Sequence, residues 1–271
     1  EREGYDWDVG VHYIGDMGSE RTLGRRLFDY ITEGKLEWAP MDDHFDRVFL
    51  GEEHYDLVAG KPEYRDALVA AFPRDEAAID RYLELMRSAR DATRLASLQK
   101  IVPGWIGRVL GAWLGRRIPL EVYRTTREVL EGLTRDQKLI AVLTGQWGDC
   151  GLPPARSSFL IHSLIAQHYM HGGYYPVGGA SRMAETIIPV IQAAGGEVFT
   201  YAEVQRIRVG RKGVEGVEMV DGQAINAPVV ISDAGVFNTF ERLLDDSVPQ
   251  RRAWLDRLQR VRPSMASVCL Y

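Results

Sequence analysis

The sequence predicts an α+β chain, bordering on α/β, with a largely helical first part and a strand-rich last part. Three observations predict it. Residues 63–99 carry Ala, Leu, Arg and Glu at amphipathic helical spacing. After Gly195-Gly196 the pattern changes to apolar runs of strand length, divided by Arg211-Lys212-Gly213 and Asp221-Gly222. An Asp-Gly pair marks a hairpin because the favoured two-residue turn needs positive φ at both central positions, so this last part reads as a β-meander.

In chain order, residues 5–14 (YDWDVGVHYI) are rich in β-formers and predict a strand with a Gly kink. Residues 23–30 fit a short helix. Residues 45–50 and 54–58 predict two strands joined by Gly51-Glu52-Glu53. The helical stretch 63–99 is broken at Pro73, and Asp75 is placed to cap its restart. Further helices are expected over 119–132, over 134–146 with Thr134 as cap, and over 156–170 after Pro153-Pro154. Beyond Gly196, residues 197–200, 204–209, 216–220 and 224–232 read as strands, and 237–244 as a helix.

Composition narrows the function classes. The chain has 271 residues, enough for one large domain or two small ones. A net charge of −5 argues against a broad nucleic-acid surface. Cys150 and Cys269 lie far apart and form no CxxC, so neither a disulfide framework nor a zinc ribbon is expected. There is no apolar run of about 18 residues to cross a bilayer and no signal-peptide pattern. A cytoplasmic protein, peripheral at the membrane, is the expectation. The sequence opens without Met, and residues 265–271 (MASVCLY) read as a strand cut in mid-run, so a fragment is expected.

Residues 171–199 (HGGYYPVGGASRMAETIIPVIQAAGGEVF) raise a question of chemistry. Gly178 and Gly179 allow positive φ or close approach of backbone to another group. Pro176 stiffens the approach, and Ser181 is placed to cap a helix that Gly195-Gly196 ends. A loop stripped of side chains beside Tyr174 and Tyr175 suits a flat ligand; a tight turn into a helix accounts for the same residues without one.

Residues 101–117 (IVPGWIGRVLGAWLGRR) place Ile101, Val102, Trp105, Ile106, Val109, Leu110, Trp113 and Leu114 on one helical face. Two tryptophans there, with Arg108, Arg116 and Arg117 nearby, describe a helix lying flat in a membrane interface; an amphipathic helix packed on the core is the bland counterpart. The interspersed glycines lower helix propensity and argue for support from a medium or partner. His162, His168 and His171 have no metal-ligand spacing, Cys150 has no evident base partner, and no G-x-S-x-G elbow is present, so no metal and no nucleophile is assigned. No catalytic acid or base is named.

The order of elements after Ala193 is informative as a set: AAGGEVFTYAEVQRIRVGRKGVEGVEMVDGQAINAPVVISDAG. It resembles the returning half of the FAD domain in flavin-dependent amine oxidases and phytoene desaturases. With YDWDVGVHYIG at 5–15 and YYPVGG at 174–179, the chain resembles the phytoene desaturase, carotenoid isomerase and retinol saturase branch. The resemblance implies an incomplete, Rossmann-like FAD domain with a β-meander beside a largely helical substrate- and membrane-facing domain. It divides the chain into a flavin-facing segment (1–16), a substrate and helical lid region (17–170), the returning FAD part (171–247) and the start of a second substrate segment (248–271). It implies that Asp8, Gly10, Val11 and His12 pass the flavin, and that Val204 meets the adenine by its backbone. Ser232, Asp233 and Ala234 would lie near the dinucleotide. Tyr174, Tyr175, Pro176, Gly178 and Gly179 would border flavin and substrate.

One departure matters. A dinucleotide fold brings pyrophosphate to a helix N-terminus through G-x-G-x-x-G, and this sequence contains no G-x-G. The expectation is therefore a parent that binds FAD and exchanges hydride with a long apolar polyene, and a fragment inactive by itself. A flavin amine oxidase and a non-catalytic lipid- or carotenoid-binding piece are the alternatives.

Overall fold

The computed structural model of the chain describes residues 4, 13–262 and 264. The strand expected over 5–14, with Asp8, Gly10, Val11 and His12, lies outside them except for its last two residues. The fold is α+β, in two compact units divided after Ala194.

The first unit begins with β1 (Ile14–Gly15) and α1 (Leu23–Ile31). Then come β2 (Trp38–Pro40) and the hairpin β3 (His44–Leu50) and β4 (Glu53–Val58). Gly51 turns that hairpin at φ 67°. The long helical pattern splits as expected into α2 (Lys61–Ala71) and α3 (Glu76–Ile101), with a 3₁₀ turn at Pro73–Asp75 between them. Asp75 makes no side-chain cap; its carboxylate instead accepts a short hydrogen bond from the Thr134 hydroxyl, across 59 positions of sequence.

The expectation of one helical face over 101–117 needs correction. Ile101 ends α3, Val102 is extended, and Pro103 precedes α4 (Gly104–Leu114). Ile101 and Val102 therefore do not share the α4 face. The glycines of α4 are explained by packing. A Cβ on Gly107 would come within 3.1 Å of the Gln99 carbonyl oxygen, and one on Gly111 within 1.9 Å of Gln99 Nε2. These two glycines, four apart, let α4 lie close on the end of α3.

Next come a 3₁₀ turn (Leu120–Tyr123), α5 (Thr126–Leu133), α6 (Gln137–Leu143) and α7 (Phe159–Tyr169). Thr125 and Glu128 form a reciprocal capping box on α5. Thr134 does not cap α6: Asp136 accepts the N–H groups of Lys138 and Leu139 at 2.8 and 3.1 Å. Thr134 is committed to Asp75 and to the Asp136 N–H. β5 (Gly173–Pro176) is central in the sheet β1–β5–β2, antiparallel to both neighbours, with Ile14 opposite Tyr174 and Ala39 opposite Tyr175. α8 (Ser181–Ala193) begins without a side-chain cap, so Ser181 does not play the part expected of it.

The core of this unit is built where α3 and α7 meet β3, β4, α5 and α6, with Ile79, Tyr82, Leu130, Leu139 and Phe159 fully buried. His162 is buried there, its Nε2 2.9 Å from the Tyr82 hydroxyl. Burial pushes its pKa from 6.5 down to about 4. The unfolded chain therefore binds a proton that the folded chain refuses. The stability His162 contributes is whole above pH 6.5 and is lost as pH falls towards 4, by about 3 kcal/mol. Denaturant midpoints across that range should fall less steeply for His162→Gln than for the natural protein; parallel slopes would refute this account.

The second unit, Gly195–Ser264, holds the meander β6 (Val204–Gly210), β7 (Gly213–Met219) and β8 (Ala224–Asn226), all antiparallel, followed by α9 (Pro249–Leu258). Two expectations are corrected here. Residues 197–200 form no strand. The strand expected over 224–232 ends at Asn226, and Val229 and Ile231 stand exposed without a ladder among the described residues. A strand apolar on both faces is stable only between neighbours. Residues 238–243, within the helix expected over 237–244, are helical with the π hydrogen-bond pattern.

Candidate functional site

The sheet β1–β5–β2 and the helices α3 and α7 leave a cleft of about 840 Å³ in the first unit. One wall is the segment after β1. Gly15 donates its N–H to His168 Nε2 at 2.8 Å, which fastens β1 to the end of α7. A ring nitrogen that accepts carries no proton there, and burial lowers the His168 pKa, so the imidazole is neutral. Asp16 lies 3.0 Å from His171 Nδ1 through its carboxylate, and its carbonyl accepts from the Thr22 hydroxyl. Gln167 donates to the carbonyls of Met86 and Ser163, at 2.8 and 3.0 Å, and so ties α7 to α3.

Tyr174, read from sequence as bordering the substrate, lines this cleft. Its hydroxyl lies where a Cβ on Gly18 would fall, 1.9 Å away, so the phenol can rest over that backbone only because residue 18 is glycine. Tyr175 and Pro176 continue along β5. Gly178 and Gly179 both take positive φ, 88° and 95°, as the sequence led one to expect of a loop without side chains. Nothing lies within 4 Å of a Cβ position on Gly179, whereas Gly178 faces the Arg182 side chain. Tyr174, Tyr175, Pro176, Gly178 and Gly179 thus form one strand and the turn that leaves it.

The other residues read from sequence are elsewhere. Val204 opens β6, opposite Met219. Ser232, Asp233 and Ala234 form an irregular exposed segment, with the Ser232 hydroxyl 2.7 Å from that of Thr239 and the Ala234 carbonyl accepting from Asn238. Both belong to the second unit. On α4, Trp105, Val109 and Trp113 are 66, 64 and 59% exposed, and Ile106 is half-buried. Positions four apart lie on one face of a helix, so three large apolar side chains form an exposed stripe opposite the glycines that pack on α3. No helix among the described residues is long and apolar enough to cross a membrane.

Sequence reasoning missed the cleft's charge. Arg21, Lys61, Arg90 and Arg94 all line it. The signal was available: Arg87, Arg90 and Arg94 recur at helical spacing along 76–101. Cys150 is half-buried and its thiol is pushed up to about 11, chiefly by burial.

No family model matches the chain. It is 38% identical to an all-trans-retinol 13,14-reductase of Danio rerio over 92% of this chain and 43% of that protein. It is 30% identical to a neurosporene-forming phytoene desaturase of Cereibacter sphaeroides over 94% of this chain and 48% of that protein. Among solved structures, an oxidoreductase from Methanosarcina mazei superposes with a TM-score of 0.60 at 17% identity, over 94% of this chain and 54% of that one. The chain spans about half the length of the curated relatives it matches.

Proposed function

We propose, from the premise that this chain belongs to the phytoene desaturase, carotenoid isomerase and retinol saturase family, that it is part of an FAD-dependent oxidoreductase acting on a long apolar polyene. The observation that carries the reading is the alignment of 92% of this chain, at 38% identity, with 43% of an all-trans-retinol 13,14-reductase. Desaturation, saturation and isomerisation of carotenoid- or retinoid-like chains all fall within it.

The residues present fit part of a flavin dinucleotide. The open space at Gly179 and the positive φ of Gly178 and Gly179 make a backbone surface that a planar ring can approach. In the second unit, taken by itself, the family resemblance assigns Val204 to the adenine and Ser232, Asp233 and Ala234 to the dinucleotide. A pyrophosphate turn of the G-x-G type is not among these residues. When bound, the flavin would supply the acceptor or donor of hydride. The chain's own residues would do the rest. Tyr174, Tyr175 and Pro176 would border the polyene and exclude water beside Gly178 and Gly179. The stripe of Trp105, Val109 and Trp113, with Ile106, Leu110 and Leu114 on the same helix, would rest on a bilayer from which such a substrate is loaded.

The test uses the full-length protein. Flavin absorbance bands and polyene turnover are expected, and Gly178→Val and Gly179→Val should each reduce flavin occupancy or turnover roughly tenfold, because L-residues pay about 1–2 kcal/mol for such backbone even before any ligand is displaced. Normal occupancy and turnover in both variants would remove this turn from the site. Polyene absorbance without flavin would refute the enzyme in favour of a binding protein. The 271-residue chain alone is expected to lose FAD on a desalting column, since it holds no pyrophosphate turn; one-to-one retention would overturn that.

A further inference from the structure

Four cationic side chains, Arg21, Lys61, Arg90 and Arg94, line the cleft against one carboxylate, Asp16. None of the four has an ion-pair partner among the described residues, whereas Arg25, Arg47, Arg65, Arg81, Arg127 and Arg182 of the same unit are paired. Asp16 is directed at His171 instead. Arg90 and Arg94 are four apart on α3 with Arg87 one turn before, so three like charges repeat along one face, an arrangement that destabilises a helix unless something neutralises it. Arg90 Nε is buried and has no hydrogen-bond acceptor among the described residues, a state that costs free energy until an acceptor arrives. Lys61 feels the same surroundings: burial, then Arg90 and Arg87, lower its pKa.

We propose that this cleft is a binding site for a phosphate-bearing anion, held by Arg90 and Arg94 from α3, Lys61 from the start of α2 and Arg21 from the loop after β1. The guanidinium fork matches phosphate oxygens in pairs, and a multivalent oxyanion answers several cations where a single carboxylate would answer one. The phosphate could belong to a lipid headgroup or to a soluble phosphate compound; the chemistry at the cations is the same. The site shares Tyr174 with the polyene reading but does not depend on it.

The experiment titrates full-length protein with inorganic phosphate by calorimetry at constant ionic strength, and records flavin absorbance on the same samples. Saturable binding is expected. Arg90→Gln with Arg94→Gln should weaken it roughly tenfold or more, since both charge-assisted guanidinium contacts to the anion are lost. Arg90→Lys with Arg94→Lys keeps the charge and should bind with an intermediate affinity, which separates loss of the site from loss of the fold. Vesicles of phosphatidylcholine containing phosphatidic acid should displace the bound phosphate if the source is a headgroup; phosphate retained against them, and against neutral vesicles, identifies a soluble source. Absence of saturable binding by the natural protein, or unchanged affinity in the glutamine pair, overturns the proposal. Neither result bears on whether flavin bands or polyene turnover are present, so the two readings fail separately.

Discussion

Replacing Gly15 by valine is expected to cost the full-length protein about 3 kcal/mol or more and to dismantle the cleft. A Cβ at residue 15 would fall 1.8 Å from the His168 carbonyl oxygen and 2.5 Å from its carbon. Those are backbone atoms at the end of α7, so no rotamer change relieves the overlap. Separating β1 from α7 also breaks the 2.8 Å bond from the Gly15 N–H to His168 Nε2. Overpacking typically costs about 1–3 kcal/mol, and orphaning a buried polar group about 1–3 more. The pairing of Gly15 with Gly173 carries the disturbance into β5, the strand that holds Tyr174. Urea unfolding of Gly15→Val beside Gly132→Ala makes the comparison. Gly132 sits on α5 with nothing within 4 Å of a Cβ position, so alanine there should be neutral or slightly stabilising. Equal midpoints for Gly15→Val and the natural protein would show that β1 does not hold the cleft.

Trp105→Glu with Trp113→Glu is expected to release the full-length protein from anionic vesicles, with at least a tenfold loss of bound fraction at limiting lipid, since the affinity of such a helix scales with its buried apolar area. Both tryptophans are more than half exposed, at 66 and 59%, on the side of α4 away from Gly107 and Gly111. Indole rings favour the headgroup region, and Arg108 and Arg116 are exposed on or beside the same helix, where each is worth about 1 kcal/mol at an anionic surface. Because both replaced side chains are more than half exposed, most of the thermal stability should be kept. A double variant that still pelleted fully, or a natural protein that never bound, would end the membrane reading of α4.

Much of the local structure was legible because local chemistry decides it. Gly51 in its hairpin, the helix stop at Gly195 and the positive φ of Gly178 and Gly179 each follow from one residue's backbone freedom, and the break at Pro73 from one residue's fixed φ and missing N–H. Thr134 and Asp75 misled because each looked like a cap to its own neighbours, yet they bond each other across the chain. Residues 229–231 misled because a run of Val-Val-Ile reads as a buried strand whether or not partner strands stand beside it.

By itself the sequence determined the helical and meander parts, the glycines of the YYPVGG turn and the spacing of Trp105, Val109 and Trp113, since each is written in residues near one another along the chain. Only the tertiary structure decided what those pieces do to one another. It turned Gly107 and Gly111 of α4 from a weakness into the face that packs on α3, set Gly15 against the His168 backbone and Gly18 against the Tyr174 hydroxyl, and gathered Arg21, Lys61, Arg90 and Arg94 into one cleft. The physical reason is the range of the forces. Backbone preference and hydrophobic period act within a few residues, whereas steric contact and unpaired charge depend on which distant segments the fold brings within a few ångströms.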